Sequence, residues 1–253
     1  MAGVVTGAVL ALGAAPVSAG QGRLTLATPD ARVDAGTAIT FEVSAPGVSR
    51  LAGIVVERQF GARRGWRPVA RLRAGTSLQV TTAGLGMGRY VYRALAMEGN
   101  RVLARSSLVT VFSYGTVSLT QLASRSRGTH VANAGSGTIM VGGSPFTWHA
   151  TETGNDGPGQ GASITAQNSS CRSLNLQFAV SDAEVQHGGV GQVGAGLTES
   201  SSTVQNSNGA ASQVNVANFT ISSPDWGLSL WASYGVEVYY TGTLSCWSPT
   251  GDL

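Results

Sequence analysis

Ile39-Thr40-Phe41-Glu42-Val43 alternates apolar and polar residues with a period of two, the pattern of a β-strand with one face in a core. Successive strand side chains point to opposite faces, so Ile39, Phe41 and Val43 share one face. The same reading extends outward. Leu24-Thr25-Leu26 alternates upstream, and Ile54 to Phe60 forms a longer strand downstream. A hairpin loop, Gly61-Ala62-Arg63-Arg64-Gly65, leads into Trp66 to Arg73. Tyr90 to Met97, Val102 to Ala104 and Leu108 to Phe112 complete the set. Pro46-Gly47, Gly75-Thr76, Gly84 to Gly88 and Glu98-Gly99-Asn100 punctuate the strands as turns. About seven short strands in about ninety residues predict an antiparallel β-sandwich over residues 20–113.

Residues 114–135 read as a polar linker or a first strand, the strand lying in Val117 to Leu122. β-patterns then resume in Thr138 to Val141, Pro145 to Ala150, Leu174 to Val180 and Val190 to Leu197. They continue in Val214 to Ile221, Leu228 to Ala232 and Val236 to Leu244. Leu174, Leu176 and Phe178 share one strand face, and Val214, Val216 and Phe219 are read the same way. Gly-, Asn- and Ser-rich loops fill 151–161 and 199–211. The expected fold class is all-β, with two antiparallel β-sandwich domains, the second a jelly-roll-like domain over 136–253.

Composition agrees. Charged residues make up 11% of the 253, which argues against long Glu- and Lys-rich surface helices, and 35 glycines suit many tight turns. A hydrophobic content of 42% is enough to fill a core. All 16 basic residues are Arg, so Schiff-base, Lys general-base and P-loop chemistry are excluded. Charge divides near Tyr114-Gly115. Residues 20–113 hold 13 Arg and 5 acids, a net of +8; residues 114–253 hold 3 Arg and 8 acids, a net of −5. The basic half suits anionic surfaces such as wall polymer, or it is a solubilising face.

Residues 1–19 read as a signal peptide. Val4 to Leu12 is a short apolar run, and Val17-Ser18-Ala19 has the small-x-small form of a cleavage site before Gly20. No Lys or Arg precedes the run, and the other reading is a disordered Ala/Gly-rich tail. The run is too short for a transmembrane segment, which needs about 20 apolar residues. Export makes the protein secreted or cell-surface, removes most nucleic-acid partners, and predicts that the two cysteines, Cys171 and Cys246, form a disulfide.

Two resemblances follow. Gly65-Trp66-Arg67-Pro68-Val69-Ala70 and Gly88-Arg89-Tyr90-Val91-Tyr92-Arg93-Ala94 resemble the immunoglobulin-like or fibronectin-type-III-like modules of secreted actinobacterial proteins. The likeness covers 22–113. It places Tyr90 at a tyrosine corner and implies a spacer or an adhesive platform. The second half resembles galactose-binding-like jelly-roll carbohydrate-binding modules of the NPCBM kind. Cys-x-x-Leu-x-Leu-x-Phe from Cys171, Val193 to Gly196, and Pro224-Asp225-Trp226 carry that likeness.

Candidate chemistry is sparse. His130, His149 and His187 have no metal spacing, and no metal site or cofactor is expected. No Gly-x-Ser-x-Gly elbow occurs. Asp182 and Glu184, two apart at a strand end, read as surface carboxylates, and Asn155-Asp156-Gly157 as a plain turn rather than a calcium loop. Trp148, Trp226, Trp231 and Trp247 gather in the second half, whereas Trp66 is assigned to the first core. An indole stacks on the apolar face of a sugar while polar groups bond its hydroxyls. The expected ligand-binding residues are Trp226, Asp225, Trp148 and Tyr234, and Arg63, Arg64 and Arg67 are the expected anionic-surface contact. The expected function is non-catalytic binding of carbohydrate or cell-wall polymer; the alternative is a structural or adhesive module with a protein partner.

Overall fold

The computed structural model describes residues 23–60, 65–75, 77–125, 129–153, 163–167, 169–188, 190–200, 202–232 and 236–248. The fold is all-β, with antiparallel sheets packed as sandwiches. The first part runs β1 (Thr25–Ala27), β2 (Arg32–Asp34), β3 (Ile39–Ser44), β4 (Gly53–Phe60), β5 (Arg67–Arg73), β6 (Ser77–Thr82), β7 (Gly88–Glu98), β8 (Arg101–Arg105) and β9 (Val109–Ser118). One sheet is β1-β3-β6. The other orders β5-β4-β7-β9, with β8 on β7 and β2 running parallel to β9. Ile39, Phe41 and Val43 are fully buried, as their alternation requires, and Phe41 packs on Tyr92 with ring centroids 4.5 Å apart. The Tyr90 hydroxyl donates to the Gly86 carbonyl at 2.9 Å.

The second part runs α1 (Leu119–Arg125), β10 (Thr129–Val131), β11 (Ala134–Val141), β12 (Ser144–Thr153), β13 (Ile164–Ala166), β14 (Cys171–Ala179) and α2 (Asp182–Gly188). It continues through β15 (Gln192–Glu199), β16 (Ser202–Ala210), β17 (Asn215–Thr220), β18 (Trp226–Ala232) and β19 (Glu237–Cys246). One sheet orders β10-β13-β18-β15-β16. In the other, β19 has β14 and then β17 on one edge, and β12 followed by β9 along the opposite edge. Leu174, Leu176 and Phe178 of β14 meet Val193, Leu197, Leu228 and Leu230 in the core between them. The Tyr240 hydroxyl shares its proton between the carbonyls of Ala132 and Ser163 at 3.2 and 3.1 Å.

β9 belongs to both parts. Val109 to Ser113 pair with β7, and Gly115 to Ser118 pair with β19, so an eleven-stranded sheet runs through the molecule. The buried cores are two clusters, one of residues up to Val111 and the other of residues from Val117 onward, with Met87 of the first part packed against the second. The strand thus passes unbroken through the point where the charge balance changes.

Four local readings need correction. The stretch 199–211 is not a loop: Ser202–Ala210 is β16, paired antiparallel with β15. Val117 to Leu122 is not one strand: β9 ends at Ser118 and α1 begins. Ser118 Oγ accepts the Gln121 N–H at 3.2 Å and Gln121 Oε1 accepts the Ser118 N–H at 3.2 Å, a capping box that starts a helix and sinks Leu119 and Leu122 into the core. Asp182 and Glu184 lie on α2, not on a strand, and His187 is in its last turn. Val214 and Val216 face solvent, at 38% and 54% exposure, while Asn215, Ala217 and Phe219 turn inward. Because the pleat has a period of two, that one-residue shift reverses the strand's faces.

Candidate functional site

The crossing of β9 from one part to the other leaves a cleft of about 210 Å³ beside the disulfide. Cys171 and Cys246 stand opposite each other on β14 and β19 and are bonded. Each is followed by a side chain of the cleft. Arg172 follows Cys171, and its guanidinium lies 4.2 Å from the centre of the Tyr114 ring, in cation–π range. Arg172 also pairs with Asp34, and its Nε donates to Ser245 Oγ at 3.2 Å. Trp247 follows Cys246 and packs on Phe112, the ring centroids 5.3 Å apart and tilted by 51°. Exposed Arg32 completes the charged lining.

The rest of the rim is hydroxyl and backbone. Ser170 Oγ accepts the Ser248 N–H at 3.2 Å, and the Pro224 carbonyl accepts the Ser169 N–H at 2.8 Å. Ser222 and Ser223 are fixed by Glu199 of β15. Its carboxylate accepts both their N–H groups, at 2.7 and 3.2 Å, and the Ser222 hydroxyl at 2.5 Å. Slight burial raises the Glu199 pKa, but these three bonds outweigh it and hold it below the ordinary glutamate value. Asp34 offsets the charge of Arg172, so its guanidinium serves as a planar donor array as much as a cation. Rings beside a donor fork and hydroxyls suit a polyhydroxylated ring.

The expected site residues are scattered. Trp226 is a correction: it is 4% exposed and packs in the second core, so it cannot stack on a ligand. Its Nε1–H is buried with no acceptor among the described residues. The indole opens β18, and its strand phase points inward despite the preceding loop. Asp225 is exposed on the turn after cleft residue Pro224, and its N–H donates to Ser223 Oγ at 3.2 Å. Trp148 is half-buried, 5.5 Å from the Tyr239 ring and away from the cleft. Tyr234, Arg63, Arg64 and Asn155-Asp156-Gly157 lie outside the described residues. Arg67 is exposed at the start of β5.

Other candidates have structural partners. Trp66 is half-buried under Arg93, 4.0 Å from its ring centre, rather than in the core. Asp182 accepts the Gly142 and Gly143 N–H groups at 2.6 and 3.0 Å, and Glu184 accepts the Glu237 N–H at 2.8 Å. The carboxylates thus brace a hairpin turn and a strand start. His149 Nδ1 lies 2.5 Å from Thr241 Oγ1, tying β12 to β19. Among the described residues no group of three or more His, Cys, Asp or Glu is placed to hold a metal ion.

Sequence reasoning missed the cleft because its lining spans Arg32 to Trp247. One signal pointed to it. A disulfide between directly paired strands brings the residues that follow each cysteine to one place, and here those are Arg and Trp. A larger groove of about 450 Å³ on the outer face of β4, β5 and β7 has Pro68, Arg71, Leu95 and Met97 in its wall and no aromatic ring. No protein-family model matches the chain, and no curated protein matches it in sequence.

Proposed function

We propose that this is an exported, non-catalytic glycan-binding protein whose binding site is the cleft at the β9 crossing. The observation that carries this reading is the meeting of Trp247, Phe112 and Tyr114 with Arg172, Arg32 and four serines beside the disulfide. A sugar ring would lie against Trp247 while its hydroxyls bond the guanidinium and the serines. Export is supported by the apolar N-terminal run and by the disulfide, and no helix among the described residues is long and apolar enough to cross a membrane. We read the first part as an immunoglobulin-like carrier, with the Tyr90–Gly86 bond as support, and the second as a jelly-roll-like carbohydrate-binding module.

The test is a glycan array with the full chain, followed by titration of any hit against Trp247→Ala and Arg172→Gln. Binding that falls at least about tenfold in Trp247→Ala, with an unchanged circular dichroism spectrum, is the expected result. A blank array, or hits indifferent to both substitutions, would overturn the cleft as a glycan site.

A second reading rests on β5. Arg67, Arg71 and Arg73 are all exposed on this edge strand, Arg71 and Arg73 on one face and Arg67 on the other, and this basic comb along the edge suits an anionic wall polymer.

A further inference from the structure

The outer face of β17, β14 and β19 is a regular array. Residues paired across strands point to the same side, so the register sets out its rows. The first is Thr220, Ser173, Ser245; the second Asn218, Asn175, Thr243; the third Val216, Gln177, Thr241. Thr116 of β9 extends the first row. None of these side chains is ionisable, in a chain with 16 Arg and 13 acids. All but Val216 are hydroxyl or carboxamide groups, and all are exposed or half-exposed.

We propose that this face carries the body of an uncharged polysaccharide chain, continuing from the sugar held in the cleft. The inference rests on the reading of the cleft as a glycan site. Four observations favour this occupant. First, a charged partner would find no counter-charge in the rows, whereas hydroxyls and carboxamides both donate and accept, as sugar hydroxyls do. Second, the array is partly fixed in advance. Asn175 Nδ2 donates to Asn218 Oδ1 at 2.6 Å, Thr241 is held by His149 at 2.5 Å, and Ser245 by Arg172 at 3.2 Å. Groups ordered before binding lose less entropy on it. Third, Val216, at 54% exposure, offers an apolar spot for the C–H face of a ring. Fourth, Arg172 belongs to the cleft and holds Ser245 of the first row, so cleft and face are one surface. A protein partner fits less well, because protein interfaces are enriched in aromatic residues, Met and Arg, and these rows contain none.

Strands lie about 4.8 Å apart and same-face residues roughly 7 Å apart along each strand, so the face is long enough for more than one sugar ring. Binding should therefore strengthen with chain length. The test is affinity electrophoresis of the full chain in gels containing hydroxyethylcellulose, galactomannan or pullulan, with short oligosaccharides of each as competitors. The variants are Asn175→Ala with Asn218→Ala, Thr243→Glu, and Trp247→Ala. We expect retardation by at least one of the three polymers, reduced about tenfold by either face variant. The short oligosaccharides should still bind these variants. Trp247→Ala should lose both polymer and oligosaccharide. Face variants that abolish retardation while Trp247→Ala does not would sustain the face and sink the cleft. Three outcomes overturn the proposal: no retardation of the parent chain by any polymer, retardation indifferent to both face variants, or self-association in sedimentation that the face variants abolish.

Discussion

Trp231 lies over Gly194 and Gly196 of the neighbouring strand, and Trp148 lies over Gly135 and Gly137. A Cβ on Gly194 would stand 2.2 Å from the Trp231 ring, and one on Gly137 would stand 2.8 Å from Trp148. The glycines of Val193 to Gly196, which carry part of the likeness to carbohydrate-binding modules, thus have a packing reason. Gly194→Ala must displace an indole, and overpacking of this kind costs about 1–3 kcal/mol. A urea midpoint equal to the parent's would show that the ring moves freely. Trp226 makes the opposite case. Its buried N–H has no acceptor among the described residues, a loss worth about 1–3 kcal/mol. Trp226→Phe removes that group and keeps most of the ring, so we expect stability within about 1.5 kcal/mol of the parent and unchanged glycan binding. Trp226→Ala should lose about 3–5 kcal/mol. A folded Trp226→Phe protein that no longer binds the glycan would return this residue to the site.

At the scale of the element, the strands were legible because they repeat every two residues, and the helices were not because they are short. Each helix has seven residues, too few for a 3.6-residue period to show. Both nevertheless carry a start signal. Ser118-x-x-Gln121 caps α1, and Ser181-x-x-Glu184 caps α2, with Ser181 Oγ accepting the Glu184 N–H at 3.2 Å. The phase of β17 departs from the reading of Val214 and Val216 because β-branched residues favour strands on either face, and the packing of the partner strands decides which face is buried. The 222–225 turn shows how an element places the site. Glu199 on β15 fixes this turn, and its folded-state pKa lies below the unfolded one. Its stabilisation is therefore complete above the ordinary glutamate value and is lost as pH falls through the lowered folded value. Glu199→Gln should flatten the acid limb of the melting temperature against pH and weaken glycan binding. An acid limb that stays parallel to the parent's would exclude this residue as its source.

At the scale of the molecule, the disulfide and the charge division act on different parts. Cys171–Cys246 closes a separation of 75 residues, so removing it should cost about 4–5 kcal/mol by chain entropy. It should also open the cleft wall, so reduction of the folded chain is expected to release bound glycan. The basic charge lies in the first part. Residues 20–113 carry +8 and residues 114–253 carry −5, so the long sheet joins a basic part to an acidic one. On edge strand β5, exposed Arg67, Arg71 and Arg73 and the N–H-less Pro68 blunt a sheet edge that would otherwise pair with another chain. The same comb would also attract a polyanion. Exposed charges are screened beyond about 8 Å at physiological ionic strength, so binding through the comb must weaken as salt rises. The full chain should bind polygalacturonate at low salt and release it at high salt, and the triple variant Arg67→Gln, Arg71→Gln, Arg73→Gln should shift release to lower salt. If the variant elutes with the parent but aggregates on standing, the arginines guard the edge and bind nothing.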